Sequence, residues 1–288
     1  MRLPLFWTAC IALGLFSSCQ SLFGSRPTRI QDAHAQVDVA FEAFVASLAT
    51  ADVVFLGENH DHRGAHDLQI RTTQALHALR PDLVISMEMF ERDDQAALNE
   101  YLAGRTDEAT FLEAVREWPN YKEDYAPAVE FARQNGLAVV AANCPRALAK
   151  QAYQEGLDGL QGNPDVAAEV DQTEGAYYAE FVRMLGGDAT HGGDDSGALR
   201  RMYTAQCLKD DTMAESIARQ FDTDGRRPLV VHWCGRAHSD KRLGTVERLA
   251  RRRPDLKIAV VSIVASPEEM PENPAELADW LWIFPEAQ

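Results

Sequence analysis

The sequence predicts an α/β protein with three layers, in which helices cover both faces of an open, mostly parallel sheet of about five or six strands. Two observations predict this class. Short apolar runs alternate along the chain with segments whose apolar residues recur at helical spacing, an order typical of parallel sheets. In addition, residues 147–222 contain no apolar run suited to a strand, which indicates a helical insertion between two strands.

Six apolar runs predict the strands. Each run is rich in Val, Ile, Leu or aromatic residues and is bounded by turn-forming or charged residues. The predicted strands comprise residues 53–57, 83–87, 137–142, 229–233, 257–264 and, at an edge of the sheet, 280–284.

The segments between these runs predict the helices. Pro81 and the pair Asn135-Gly136 are stop signals for two of them. The predicted helices comprise residues 31–49, 64–80, 95–102, 108–118, 126–134, 167–185, 198–221 and 243–252.

The first residues have the pattern of a targeting signal. Arg2 is the first charge, residues 3–16 are mostly apolar, and Ser17-Ser18-Cys19 follows. This pattern resembles a bacterial lipobox, so we expect a signal peptide at 1–18, a lipid such as palmitate on Cys19 and a tether at 19–30. Ordinary cleavage, which would leave a free thiol, is the alternative. A single domain would then comprise residues 31–288, with the helical insertion at 147–222.

Two features bear on location and partners. Gln20 stands where an inner-membrane retention signal prefers Asp, so we expect an outer-membrane lipoprotein that faces the periplasm or the cell surface. The net charge of −16 argues against a nucleic-acid partner and against electrostatic adhesion to anionic lipid. The expected membrane contact is therefore the lipid anchor.

A Gly-x-x-His turn follows two of the predicted strands, at Gly57 to His60 and at Gly235 to His238. In an open parallel sheet, ligands bind in the crevice beyond the carboxyl ends of the strands. Two strands that each deliver a histidine past that end can converge on one ligand. The sequence therefore predicts a binding or catalytic crevice around His60 and His238.

Further polar residues end neighbouring strands: Glu58, Glu88 and Arg146. His60, His238 and Glu88 would form a normal first shell for a divalent metal, and metal-bound water beside a Glu can hydrolyse a substrate. Without a metal, a His–Glu pair can perform acid/base catalysis, with Glu58 or Glu88 as the base and Arg146 steadying developing charge. A third possibility is a structural cluster in which Arg146 and Arg236 neutralise Glu58 and Glu88.

Other candidate ligands lie on predicted helices. His62 and His66 are four residues apart, a spacing that places them on one helical face, although most such pairs are solvated. Tyr177, Tyr178 and Tyr203 fall in the helical insertion. Aromatic residues at helical spacing usually belong to a core, but a flat apolar cofactor would need aromatic walls and a Tyr or His ligand.

Taken together, eight stretches of the chain resemble the ChaN family of bacterial lipoproteins, within the haem-uptake and Tiki superfamily. They are Leu-Gly-Glu-Asn-His at 56–60, Ser-Met-Glu-Met-Phe at 86–90, residues 118–125 with Pro127, Asn-Gly-Leu at 135–137, Ala-Asn-Cys-Pro-Arg at 142–146, Ala-Gln at 205–206, Asp-Thr-Met-Ala at 211–214 and Gly-Arg-Ala-His at 235–238.

The resemblance implies two functions. ChaN-like proteins are haem-binding lipoproteins linked to iron acquisition, in which a tyrosine can ligate the iron and two copies can share the cofactor. Other branches are hydrolases, namely Tiki-type metal-dependent peptidases and erythromycin esterases. The superfamily's polar residues correspond to Glu58, His60, Glu88, Arg146 and His238, and the candidate haem-ligating tyrosines are Tyr177, Tyr178 and Tyr203.

Overall fold

A computed structural model describes residues 28–186, 197–222, 225–266 and 269–285. These residues form one sheet of eight strands in the order β2-β1-β8-β7-β3-β6-β4-β5. The strands are β1 Arg29–Asp32, β2 Val37–Asp38, β3 Val53–Glu58, β4 Leu83–Glu91, β5 Ala138–Asn143, β6 Leu229–Gly235, β7 Ile258–Val264 and β8 Trp280–Ile283.

The six predicted strands are β3 to β8, and every pair of neighbours among them is parallel. The sheet gains two further strands, β1 and β2, which are antiparallel to their neighbours. Because β1 pairs with β8, the last strand is internal, and the prediction that it lies at an edge is wrong. The short strand β2 takes the edge position instead.

The helices between the strands have the following bounds: α1 Phe41–Leu48, α2 Arg63–Leu79, α3 Gln95–Leu102, α4 Glu108–Ala114, α5 Ala126–Asn135, α6 Arg146–Glu155, α7 Ala176–Met184, α8 Gly197–Ala218, α9 Thr245–Arg252 and α10 Pro274–Leu277. In the part of the chain described, no helix is long and apolar enough to span a bilayer.

Helices cover both faces of the sheet, as the alternation along β3 shows. Val54 and Leu56 pack in one core with residues of α1 to α5. Val53 and Phe55 point the other way and pack with residues of α8 and α9. All six residues of β3 are buried, which explains why its sequence is a continuous apolar run and not an alternating one.

The helix predicted at 31–49 is wrong in its first half. Ile30 is buried and lies in β1, opposite Trp282 of β8, and Gln36 adopts a φ of 56° in the turn to β2. The helix begins only at Phe41. Pairing with β8 therefore outweighs the local helical spacing, because a distant strand satisfies the backbone groups of residues 29–32.

The helix predicted at 167–185 begins only at Ala176. Side chains of α8 and α9 hydrogen-bond the backbone before it: Thr212 and Asp211 accept from the amides of Ala167 and Asp171, and Arg248 donates to the Asp171 carbonyl. These tertiary bonds replace the bonds that a helix would have formed. The loop predicted at 186–197 lies largely outside the described residues, as does the predicted signal segment.

Candidate functional site

Both Gly-x-x-His turns lie at the same edge of the sheet. Strands β3 and β6 are parallel neighbours, and Glu58 is in register with Gly235. Beyond their carboxyl ends lies a cleft of about 790 Å³, which we call the strand-end cleft. It is lined by Glu58, Asn59, His60, Asp61, Pro119, Asn120, Asp124, Gly235, Arg236, Ala237 and His238.

The glycines of both turns permit this close approach. A Cβ atom on Gly235 would lie 2.9 Å from Nε2 of His60, and a Cβ on Gly57 would lie 2.7 Å from the Ser239 hydroxyl and 3.2 Å from the Val261 carbonyl oxygen. Any side chain at these positions would displace a neighbouring group. The absence of side chains at Gly57 and Gly235 therefore allows the two turns to pack against each other.

His60 is oriented by the carboxylate of Glu58. Its Nδ1 lies 2.8 Å from Glu58 Oε1 and 3.2 Å from the Tyr125 hydroxyl, which itself donates to Glu58 Oε1 at 2.8 Å. The indole of Trp118 packs against the imidazole, with the ring centroids 4.8 Å apart. The His60 side chain is 38% exposed, so its other edge faces the cleft.

His66 lies behind Glu58 and is buried. Its Nδ1 is 2.8 Å from Glu58 Oε2 and 3.1 Å from Gln69 Oε1, and its Nε2 is 3.3 Å from the His60 carbonyl oxygen. Because Gln69 donates its own amide to the Leu56 carbonyl, its Oε1 is an acceptor. Both ring nitrogens of His66 therefore face acceptors, an arrangement that favours the doubly protonated imidazolium.

His238 is also buried, and it lies between two carboxylates. Its Nε2 is 3.2 Å from Glu88 Oε1, and its Nδ1 is 2.7 Å from Asp210 Oδ1. The second oxygen of Glu88 accepts the Gly235 amide at 2.7 Å. His238 therefore uses both ring nitrogens within the protein, whereas Nε2 of His60 lies 4.0 Å from the nearest Glu88 oxygen.

Asp210 connects the cleft to the helices of the insertion. It lies on α8 and accepts hydrogen bonds from the Thr245 hydroxyl at 2.8 Å and from the Tyr177 hydroxyl. Gln206, one turn earlier, donates to the Tyr177 hydroxyl at 3.2 Å. Helices α7, α8 and α9 thus all contribute to the position of His238.

The environment shifts the pKa values of these groups in opposite directions. Burial opposes ionisation of Glu58 and Glu88, but their histidine contacts outweigh it and lower the pKa of both carboxyls. Burial likewise opposes charge on His238, yet Glu88 and Asp210 raise its pKa to about 10. Glu58 has the same effect on His60 and His66, whose pKa values are raised despite burial. Glu88 and His238 therefore form an ion pair at neutral pH.

The structure brings together Glu58, His60, Glu88 and His238, as predicted, but not Arg146. Arg146 is exposed at the start of α6, and its backbone amide donates to Glu91 at 2.9 Å. Arg236 reaches the cleft, where Asp240 and Glu269 accept its hydrogen bonds. The alternative in which these arginines neutralise Glu58 and Glu88 does not hold among the described contacts, where histidines face both carboxylates.

The three candidate tyrosines cluster together, away from the surface of the cleft. Tyr177 is buried and donates to Asp210, and Tyr203 is buried and donates to the Thr173 carbonyl at 3.0 Å. Tyr178 is half-buried, with its ring edge-on to Tyr203 at 4.9 Å. Of the three, Tyr178 alone combines partial exposure with a position on the surface of the insertion.

The predicted divalent-metal site finds no support in the described ranges, which contain no group of three or more His, Cys, Asp or Glu side chains arranged to hold an ion. Glu88 and His238 contact each other directly, so a metal would have to separate an existing ion pair. The two histidines that helical spacing placed on one face, His62 and His66, also have different positions in the structure. His62 caps helix α2, while His66 faces the interior.

Sequence reasoning missed two residues of the site, Tyr125 and Asp210, and it did not separate His66 from His62. Helical spacing indicated only that His62 and His66 share a face, and Tyr125 stood at the end of the 118–125 stretch without a role of its own. Asp210 precedes the Asp-Thr-Met-Ala stretch and carried no separate signal. An acidic residue inside the otherwise apolar face of a long helix is a signal that could have identified it.

Comparisons with known proteins agree with this fold. The model of a family described as "Haem-binding uptake, Tiki superfamily, ChaN" matches residues 44–249. The chain is also 23% identical over 253 residues to the protein RETICULATA-RELATED 5, chloroplastic, of Arabidopsis thaliana. That match covers 82% of this chain and 34% of the plant protein, so the chain spans about a third of the length of this curated relative.

A solved structure described as "Cofacial heme binding to ChaN of Campylobacter jejuni" is similar to most of this chain. The TM-score is 0.70, with 20% sequence identity over 89% of this chain and 96% of that one. At this identity the likeness establishes a shared fold.

Proposed function

Because the chain belongs to the ChaN family of the haem-binding uptake and Tiki superfamily, we propose that it binds haem in the strand-end cleft, with His60 as the ligand to the iron. We further propose that it does so as an envelope lipoprotein in the service of iron uptake. The family supports haem binding. The assignment of His60 depends on the geometry of the cleft.

The observation that carries this assignment is the difference between His60 and the other two imidazoles. Both nitrogens of His238 and of His66 face acceptors, whereas His60 commits Nδ1 to Glu58 and directs its half-exposed other edge to the cleft. Histidines that ligate metals usually donate their second ring N–H to a carboxylate in this way. His238, although predicted as a ligand, is less suited because it is buried in two ion pairs.

The residues present fit a haem group. A volume of about 790 Å³ lies within the range of cofactor and ligand pockets. The half-buried indole of Trp118 beside His60 offers an apolar surface to a flat ring. When bound, the haem iron would supply a Lewis-acidic centre that requires an axial donor from the protein.

A haemin titration of the protein lacking residues 1–19 tests this function. We expect a saturable shift of the main visible absorption band at small-integer stoichiometry, and a loss of affinity of at least about tenfold in His60→Ala. His34→Ala is a matched control, since His34 is 64% exposed and hydrogen-bonds Asp279, away from the cleft. Its affinity should equal that of the unaltered protein.

The same titration distinguishes the tyrosines from His60. If Tyr178→Phe and not His60→Ala abolished the shift, the ligand would lie on the insertion. Variants of Tyr177 and Tyr203 should act only indirectly, because their hydroxyls are engaged with Asp210 and the Thr173 carbonyl. A non-saturating response from the unaltered protein would refute haem binding in this chain.

We also propose that two copies of the chain share the ligand. This proposal is supported by the ChaN structure of Campylobacter jejuni, which is described as showing cofacial haem binding. Light scattering of the protein with and without haemin tests the proposal. An increase from the mass of one chain to that of two would support it.

A second candidate function, hydrolysis in the cell envelope, is favoured by one observation. Glu88, His238 and Asp210 form a buried carboxylate–imidazole–carboxylate array on the cleft floor, a constellation suited to moving protons. Turnover of ester or peptide substrates that disappeared in Glu88→Gln and survived in His34→Ala would support an enzyme. Equal turnover in Glu88→Gln would exclude this site as its source.

A further inference from the structure

We infer that the strand-end cleft opens toward the membrane that holds Cys19, so that the cleft takes up its ligand from the lipid surface and not from the aqueous phase. The inference rests on the proposed lipid anchor and the proposed haem site, and it goes beyond them by naming the orientation of the body and the source of the ligand. It does not depend on which side chain ligates the iron. It follows from the direction and register of strand β1.

The first step is the direction in which the chain enters the sheet. Strand β1 is antiparallel to β8, with Arg29 opposite Ile283 and Asp32 opposite Trp280. Because β8 belongs to the parallel set, its last residue lies at the carboxyl edge of the sheet, which is also the edge of the cleft. The chain therefore enters the sheet at the cleft edge and runs away from it.

The second step is the level of this entry point. The last residue of β8 is level with Val264 of β7. Val261, three residues earlier, is level with Leu56 of β3. Three residues beyond Leu56 stands Asn59, which lines the cleft. The entry point is therefore level with the cleft, and because β1 is three strands away from β3, the lateral distance between them is roughly 14 Å.

The third step is a direct contact between this corner of the sheet and the rim of the cleft. The ring of Phe284, which follows β8, packs on the imidazole of His62 with the centroids 4.2 Å apart. A Cβ atom on Gly64 would lie 2.6 Å from the same ring. His62 and Gly64 continue the segment that lines the cleft at His60 and Asp61. The end of β8 and the rim of the cleft therefore form one packed surface.

The fourth step is the reach of the chain between the anchor and the sheet. Cys19 and Arg29 are ten peptide bonds apart, so in any conformation they are separated by at most roughly 35 Å. Strand β7 extends about 20 Å from the level of Arg29 to the opposite edge, and the loops there add to this distance. Placing the opposite edge on the membrane would use most of the reach, whereas placing the cleft edge there leaves many more conformations open to the chain.

The fifth step is the charge of the body. The chain carries a net charge of −16, and the exposed carboxylate of Asp61 lines the mouth of the cleft. Anionic headgroups do not attract such a surface, so the mouth is not pressed against the lipid. A flat, mostly apolar ring such as haem concentrates at a lipid surface, because removing its faces from water is favourable. The cleft is thus held close to a ligand of this class and stays open to it.

The deciding experiment compares how far two reporter positions lie from the lipid headgroups. Arg63→Cys and Lys257→Cys are a matched pair, since both replace exposed cations. Arg63 follows the cleft-lining segment, whereas Lys257 precedes β7 at the opposite edge, where its amide donates to Asp52. The thiols of the folded body at 144, 207 and 234 are buried, so a fluorophore attaches to the introduced cysteine.

The lipidated protein is reconstituted in vesicles of phosphatidylethanolamine and phosphatidylglycerol that carry an acceptor dye on their headgroups. Energy transfer to the acceptor should be more efficient from residue 63 than from residue 257, because the two edges differ in height by about 20 Å. Equal or reversed efficiencies would overturn the inference.

A second measurement tests the source of the ligand and needs no label on the protein. A Gly/Ser segment of roughly thirty residues inserted between Pro27 and Thr28 lengthens the reach and leaves the described body unaltered. Uptake of haemin from the same vesicles should slow severalfold in this variant, because the cleft spends less time near the lipid. The dissociation constant for haemin in solution should be the same with and without the insertion. Equal rates of uptake from vesicles would show that haemin reaches the cleft through water, which would overturn the inference.

The outcomes separate this inference from the proposed function. Lipidated protein that binds haemin saturably but transfers energy equally from both reporters would overturn the orientation and leave the function intact. Absence of lipid from Cys19 would remove the anchor and the inference together, while haem binding would still be decided by the titration. Failure of the unaltered protein to bind haemin would remove haem as the ligand, and the energy transfer would still decide the orientation.

Discussion

At the scale of single residues, the number of carboxylates around each imidazole decides its role. His238 contacts Glu88 and Asp210, so it is held as a buried cation. His60 has one close carboxylate and a half-exposed ring, so it can exchange a proton or accept a ligand. The two turns have the same Gly-x-x-His pattern, but His238 is held between two carboxylates, whereas His60 has one close carboxylate and is partly exposed.

His238→Gln should destabilise the protein by about 3–5 kcal/mol near neutral pH, because it leaves two buried carboxylates without their cation. The pKa of His238 is raised from 6.5 to about 10, so its contribution is fully present below pH 6.5 and is lost as the pH rises toward about 10. Urea unfolding across this range should therefore show the difference between variant and unaltered protein shrinking with rising pH.

The control for this measurement is His34→Ala, which removes an exposed histidine. Its effect on the free energy of unfolding should be small and nearly independent of pH over the same range. A deficit in His238→Gln that stayed constant up to pH 10 would show that lost packing, and not lost charge, causes the destabilisation.

At the scale of elements, the outer strand β5 shows how the sheet is terminated. Its unpaired edge is covered in part by the side-chain amide of Gln95, which donates to the Val139 carbonyl and accepts from the Ala141 amide, at 2.9 and 2.8 Å. The side-chain amide of Gln95 thus makes the two hydrogen bonds that the backbone of a further strand would make. On the same strand, the Ser216 hydroxyl donates to the Ala142 carbonyl.

Gln95→Ala should lower the free energy of unfolding by about 1–3 kcal/mol, because it leaves a carbonyl and an amide of β5 without their partner. It should also increase aggregation on heating, since an uncovered strand edge can pair with another chain. Chemical unfolding and light scattering measure the two effects.

Asn99→Ala is the matched control, because Asn99 contacts the same glutamine amide from one turn further along α3 but does not contact the strand. An equal loss in the free energy of unfolding for both variants would show that the two hydrogen bonds to β5 add no stability of their own.

At the scale of the whole molecule, the position of the cleft follows from the sheet. Six parallel strands direct their carboxyl ends to one edge, and helices from both layers bring further groups to it: Tyr125 precedes α5 and Asp210 lies on α8. The cleft therefore depends on both faces of the sheet at once. We propose that the lipid on Cys19 holds this body at the outer membrane.

Cys19→Ser should abolish incorporation of labelled palmitate into the protein expressed in a bacterial host, because we propose this thiol as the acceptor of the lipid. The control is Cys144→Ser, which alters a buried thiol of the folded body and should keep the label. Labelling that persisted in Cys19→Ser would place the lipid elsewhere. Absence of label from the unaltered protein would favour ordinary cleavage.

The sequence predicted more of the sheet than of the site. All six parallel strands and the convergence of His60 and His238 on one edge of the sheet could be predicted, because apolar runs and strand-end turns are local patterns. The number of strands was underestimated, since β1 is stabilised mainly by pairing with β8 at the other end of the chain. His66 could not be separated from His62, because helical spacing does not show which histidine faces the interior.

What the sequence by itself determined is therefore the α/β class, the succession of six strands along the chain and the glycine turns that carry two histidines. These features depend on the burial pattern and backbone freedom of neighbouring residues. The tertiary structure alone decided which acid contacts which imidazole. Tyr125 and Glu58 are 67 residues apart, and Asp210 and His238 are 28 apart. Hydrogen bonds act over about 3 Å, so only the packing of distant elements can select these partners.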